Sequence, residues 1–298
     1  MATSLLLAAC SDAPSTTGSV DQFFIDFTDE WVRQDPNQAI RYQYFQGDEQ
    51  DLLSREMTPV TREWNEARIS LAKVGLEQLD SFDRESMSDN QQLSADIMQW
   101  QLQSLIDNEM FLDYDFPLQQ MNGVNVNLIN ALAVVHPIGT QRDAENYIAR
   151  LRQVDERMEE AIAISELQAT NGILPPRFIL DRTISSMGQF INPSPADNPL
   201  VTALAMKMES VSGIEQSRRN QLISEAIDIV ETEVYPAYQS AIGTLTMQQS
   251  IANDDAGLWR FEGGAELYAK RLRAFTTTDL SAEEIHNIGL REVARIEQ

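Results

Sequence analysis

The sequence predicts an all-α fold, a multi-helix array joined by short irregular connections. Three observations predict it. Apolar residues recur at three- and four-residue steps almost from Asp21 to the end, which is the spacing of one helix face. Helix start signals precede several of these stretches, and Pro, Gly and Asn gather between them. No long run alternates as a strand would, the one short candidate being residues 243–247.

Taken in order, Phe23, Phe24, Phe27 and Trp31 form the first stripe, closed near Pro36. Thr58 before Pro59 reads as an N-cap with proline at the first helical position, and Trp64, Ala67, Leu71 and Val74 carry that helix to about Leu79. Leu93, Ile97, Trp100 and Leu105 mark a third helix, and Pro117, Asn122 and Gly123 break the pattern after it. An apolar segment with interspersed asparagines, 124–135, stops at Pro137. Thr140 then caps one long helix whose stripe is Ala144, Tyr147, Ile148, Leu151, Met158 and Ile162, with Arg150, Arg157, Glu156 and Glu160 on the opposite, solvated face. The turn at 171–176 leads to a helix through Phe178, Ile179, Ile184 and Met187, and 191–199 reads as the best internal linker. Leu222, Ala226, Ile229 and Val230 define another helix, which Pro236 should kink by deleting a backbone donor. There is no convincing internal repeat.

With 43% hydrophobic residues, the 298-residue chain can bury a sizeable core. Its formal charge is −24, and the only lysines are Lys73, Lys207 and Lys270. Such a surface repels phosphate backbones and anionic head groups, which argues against nucleic acid as a partner. It reads either as a hydrated surface or as an acidic cleft that collects cationic peptides or metal ions. The single cysteine, Cys10, excludes a disulfide framework and a cysteine zinc site. It ends Leu5-Leu6-Leu7-Ala8-Ala9-Cys10, the pattern at which a bacterial lipoprotein is cleaved and acylated, and a polar tether follows it. Because no Lys or Arg precedes this short apolar run, the start reads as truncated or as a late initiator. Residues 1–20 are therefore expected to be a lipoprotein signal and tether that anchors the protein at the cell envelope, with one helical domain over 21–298.

The densest signals lie in 257–298. Ser281 and Glu284 form a capping box that starts a helix, and Ile285, Ile288, Val293 and Ile296 fall near one face of it. No stop signal follows, so the chain reads as a fragment. Trp259, Gly264, Tyr268, Leu272, the run Thr276-Thr277-Thr278-Asp279-Leu280-Ser281, Glu284-Ile285-His286 and 289–296 resemble a bacterial domain-of-unknown-function family, number 885. Agreement continues more thinly through Gly123, 143–151 and 172–176, so the resemblance spans roughly the whole domain. It implies a longer protein whose second half carries an H-E-x-x-P-G-H-H-like motif, similar to that of zinc metallopeptidases with a helical, cleft-forming body. This chain would then be the N-terminal part and one wall of the cleft, with zinc held, and a peptide substrate cleaved, by residues it lacks. The alternative is a non-catalytic helical binding or scaffold module of the envelope.

Within the chain, candidate chemistry is sparse. Glu283 and His286 have the Glu-x-x-His spacing that points two ligands to one helix face, but a zinc site takes three or four, and His136 stands alone before Pro137. No Gly-x-Ser-x-Gly or phosphate loop is present. Glu159-Glu160 and Asp254-Asp255 are adjacent, so on a helix their carboxylates diverge. Trp31, Trp64 and Trp100 sit on helical stripes and read as core. That leaves Trp259, Gly263, Gly264, Tyr268, Thr276, Thr277 and Thr278 as the substrate-binding candidates. Glycines let backbone approach a ligand, aromatics stack on an extended peptide and hydroxyls hydrogen-bond. The plainer reading of the same residues is a turn joining two helices with threonine caps.

Overall fold

Ser19 accepts a hydrogen bond from the Gln22 amide (3.2 Å) and opens α1 (Val20–Arg33), whose Phe23, Phe24, Phe27 and Trp31 lie where their spacing puts them. The structure, a computed structural model, describes residues 18–297, and the Cys10 motif lies outside the described residues. Beyond α1 come α2 (Pro36–Tyr42), α3 (Gly47–Leu53), α4 (Arg62–Asp80), α5 (Asp89–Asp107), α6 (Val124–Ile129), α7 (Gln141–Leu151) and α8 (Val154–Thr170). They are followed by α9 (Arg177–Ile191), α10 (Pro199–Glu209), α11 (Gln216–Ile229), α12 (Tyr235–Ile251), α13 (Gly264–Thr276) and α14 (Ala282–Ile296). No strand occurs among the described residues, so the all-α expectation holds and 243–247 is helix inside α12. No described helix is long and apolar enough to cross a membrane.

One hydrophobic cluster runs from Met57 through α6 to α12, and Tyr147, Met158, Leu180, Leu204, Leu222 and Tyr238 are buried in it. Two smaller clusters under α1, α4 and α5 continue it. Because Met187 and Leu200 belong to the same core, the 191–199 segment is not a linker between units. Fully buried Asn198 caps α10 and donates to the Phe190 carbonyl (3.1 Å), while Tyr235 donates to the Pro193 carbonyl (2.9 Å). Around Pro236 the chain stays helical. A wide π-turn at Val230–Val234 joins α11 to α12 directly before it and takes up the missing donor and the ring's bulk.

Other expectations are corrected locally. Thr61, not Thr58, caps α4, accepting from the Trp64 amide (3.1 Å); Thr58 accepts from the Asn37 amide (3.0 Å) and donates to Asp35. Leu93 and Ile97 are exposed on α5, which buries Ala95 and Leu102 instead. The long helix from Thr140 breaks at Arg152 and Gln153 into α7 and α8. The tryptophans Trp31, Trp64 and Trp100 are half-buried; the Arg68 guanidinium lies 3.4 Å from the Trp31 ring centre and 5.5 Å from that of Trp64.

The largest correction concerns Arg150 and Arg157, which are buried and not on a solvated face. Arg157 pairs with Glu156 (2.7 Å) and Glu160 (3.1 Å), and Glu160 also accepts from the Val60 amide (2.7 Å). Arg150 is 0% exposed and meets no carboxylate directly. It donates to Asn37 and to Nδ1 of His136 (3.2 Å), while Nε2–H of His136 donates to the Asp143 carbonyl (2.9 Å). The Lys207 ammonium covers the exit of the second π-turn, Asn130–Val135, donating to the carbonyls of Leu132 (3.3 Å), Val134 (3.4 Å) and His136 (2.7 Å). Burial, and then the Arg150 charge, pull the His136 imidazole down to about 4. It is neutral in the fold, as accepting from Arg150 requires.

A folded pKa of about 4 against an unfolded value near 6.5 means that the unfolded chain takes up the proton first. His136 therefore costs no stability above pH 6.5; between pH 6.5 and 4 it should remove roughly 3 kcal/mol as pH falls. Urea unfolding across that window should show a steeper acid loss for the wild type than for His136→Gln. Equal slopes would contradict the neutral, buried assignment.

Candidate functional site

The stretch carrying the sequence-derived candidates folds as a 3₁₀ turn, Leu258–Arg260, followed by α13; α13 is set against α5, and Phe261, Glu262 and Lys270 reach the 3₁₀ segment Glu109–Tyr114. Aromatic and cationic side chains anchor it. Phe261 meets Tyr114 (5.6 Å) and Phe116 (6.3 Å) edge-on, Tyr114 donates to the Glu262 carbonyl (2.9 Å), and Arg260 stacks on Phe261 (4.3 Å) while donating to the Leu174 carbonyl. From α13, Lys270 donates to the Asp107 carbonyl (2.8 Å) and lies over Phe111 (5.3 Å). Arg271 pairs with Asp115 (2.5 Å), and Arg273 lies over Trp100 (5.1 Å). Leu267 is the apolar plug, 1% exposed.

The glycines answer to the chain's own packing. A Cβ at Gly264 would lie 1.7 Å from the Leu258 carbonyl oxygen, so the close approach that glycine permits here is to this neighbouring turn. Gly263 has φ 69°, a left-handed value, and faces Phe111. The threonines close α13. Thr277 takes φ 53°, Thr276 donates to the Leu272 carbonyl (2.8 Å) and accepts from the Thr278 amide (3.3 Å), and Thr277 donates to the Thr276 carbonyl (2.7 Å). Trp259 and Tyr268, by contrast, face solvent, at 70% and 49% exposure. They are the members of the cluster with ring surface to offer a ligand.

Beyond this turn the expected capping box forms: the Ser281 amide donates to Glu284 (2.8 Å), and the Glu284 amide to Ser281 (3.3 Å). Those bonds hold the Glu284 carboxyl below its usual range. No residue of α14 is buried, and Leu290, Val293 and Ile296 are exposed along it, as is Phe275 on α13 at 87%.

Neither histidine makes a metal site. His136 is enclosed with both ring nitrogens engaged, and His286 and Glu283 are exposed on α14. Among the described residues no three His, Cys, Asp or Glu come together to hold an ion. The zinc that the resemblance implies therefore does not fit the residues described.

Residues 41–298 match the bacterial family of proteins of unknown function DUF885. The chain belongs to that family. A crystal structure described as "the putative lipoprotein from Colwellia psychrerythraea" superposes with a TM-score of 0.81 at 24% identity, covering 93% of this chain and 49% of the other. At that identity the likeness establishes the shared helical fold. This family member thus spans about half the length of the solved chain. Among curated proteins no relative matches.

The sequence marked the turn and its caps but missed the cations Lys270, Arg271 and Arg273 that dock α13; a basic cluster beginning three residues after Leu267 was the available signal. Gly264→Ala should destabilise the docking of α13 by roughly 2 kcal/mol or more, since the new methyl meets a backbone carbonyl that cannot step aside. Gly289→Ala in α14, with nothing within 4 Å, should be neutral or gain up to about 1 kcal/mol. Thermal unfolding of the two variants separates these outcomes.

Proposed function

We propose that this chain is the helical framework of an envelope-anchored, peptide-hydrolysing protein, to which it contributes one wall of the substrate cleft and not the reacting groups. The observation that carries the reading is the apolar surface left open along α13 and α14, where Phe275, Leu290, Val293 and Ile296 face outward and α14 has no buried residue at all. Each such side chain gains about 1.5–3 kcal/mol on being covered, so the surface suits further polypeptide. The solved relative holds about as much chain again. The resemblance to zinc metallopeptidases supplies the reaction class, and the Leu-Ala-Ala-Cys motif at Cys10 supplies the anchor.

In this reading Trp259 and Tyr268 are the residues that meet an extended peptide, their rings stacking on its side chains and amide planes. Gly263 and Gly264 hold the turn that presents Trp259. Thr276, Thr277 and Thr278 hold the end of α13, and their hydroxyls reach a substrate only by exchanging local bonds. Zinc, if the whole protein uses it, is held by residues other than those described here, so no step of the chemistry is assigned to this chain.

The test compares the 298-residue chain with the protein as its gene encodes it, measuring zinc content and cleavage of a mixed peptide library by mass spectrometry. The proposal expects zinc and cleavage in the gene product and neither in the chain alone. It also expects Trp259→Ala combined with Tyr268→Ala to raise KM about tenfold with kcat little changed. A gene product that binds peptides without cleaving them would favour the non-catalytic module, and an unchanged KM would remove Trp259 and Tyr268 from the site.

A further inference from the structure

Between α1 and α4 lies an open groove of about 570 Å³. Its origin is local. A Cβ at Gly75 would fall 2.3 Å from the Phe27 ring, so Phe27 sinks onto bare backbone of α4 and leaves a trough beside it. The trough is floored by Phe23, Leu71, Val74 and Phe82, and Val74 is 47% exposed. Asp26, Glu30 and Glu77 stand along its rim, and among the described residues no basic side chain lines it. Glu30 already answers Arg33 (3.0 Å), Asp26 only accepts from the Gln22 amide group (2.8 Å), and Glu77 is exposed.

An apolar floor under carboxylates, in a chain of net charge −24, selects among occupants. Anionic lipid and acidic peptide are repelled by the rim and by the field of the whole molecule. A purely apolar chain would fill the floor and leave the carboxylates without a counter-charge. An extended segment that alternates basic and apolar residues satisfies both at once, since side chains two apart point the same way and their neighbours point the other way.

We propose that the α1–α4 groove docks a cationic peptide segment whose apolar side chains seat on Phe23, Leu71, Val74 and Phe82 while its Lys or Arg residues meet Asp26 and Glu77. This goes beyond the reading above and does not depend on it, because the groove binds without any chemistry at α13. The rim bonds are solvent-exposed, so binding weakens as salt rises.

The probe is a short fluorescein-labelled peptide of alternating Leu and Lys, titrated with the purified protein and followed by fluorescence anisotropy. Saturable binding is expected, weakened about tenfold by Asp26→Lys combined with Glu77→Lys, and also by Val74→Arg, all at exposed positions that leave the helical circular dichroism unchanged. The matching Leu and Glu peptide should not bind. Absence of saturable binding, equal affinity in the variants, or equal affinity for the acidic peptide would overturn the proposal. So would a groove that takes laurate in place of the peptide, or that is occupied by a second copy in an association abolished by Val74→Arg.

Discussion

At the centre of the fold a guanidinium is sealed from water without a carboxylate against it. Arg150 reaches across to Asn37 at the start of α2 and to His136 after the second π-turn, and Asn37 is held in turn through Thr58, whose hydroxyl binds Asp35. Three segments meet at one charged group, and a fourth, at Thr58, holds Asn37 in place. The two terminal nitrogens of Arg150 are answered by Asn37 and His136 while its Nε–H finds no partner among the described residues, and removing either acceptor would cost about 1–3 kcal/mol or more. Burial lowers the Arg150 pKa to about 10, which still leaves it charged, so the neighbours must stay as acceptors. Neutral His136 is the consequence, and the Asp143 carbonyl fixes its tautomer. Through Asn37 this network ties α2 to α7.

Away from that centre the restraint on the chain declines toward α14. The helices from α6 to α12 share one core, and buried pairs such as Gln248 with Ser165 and Tyr147 with the Leu200 carbonyl lock its interior. α13 is fixed by Leu267, by Gly264 against Leu258 and by three cations reaching toward α5 and the segment after it. α14 has a good N-cap and an apolar stripe, but no buried residue. A cap contributes about 1 kcal/mol, and an isolated helix of this length is marginal in water. The stripe that distinguishes α14 is thus its main unspent source of stability.

The helical class was legible because period-3.6 patterning survives without any knowledge of neighbours, and Thr140 and Ser281 were legible as caps because their bonds lie within three residues. What could not be read depends on contacts distant in sequence. Arg150 and Arg157 were placed on a solvated face since arginine is rarely buried; only Asn37 and His136, and Glu160 with Val60, explain them. Thr58 carried a cap's local signature yet serves Asp35, more than twenty residues away. Leu93 and Ile97 matched a helix period on a face that the fold leaves open. At the candidate site the glycines were legible as special but not as to what they approach, because the Leu258 carbonyl beside Gly264 is a matter of how one turn lies on the next.

The central proposal is that the open face of α13 and α14 is a surface that further polypeptide covers. Amide hydrogen exchange, read by mass spectrometry on the 298-residue chain and on the protein as its gene encodes it, tests it most directly. The account predicts that residues 282–297 exchange nearly freely in the chain and become strongly protected in the gene product. Protection of those residues in the chain alone as strong as that of α7 around Leu151 would contradict it.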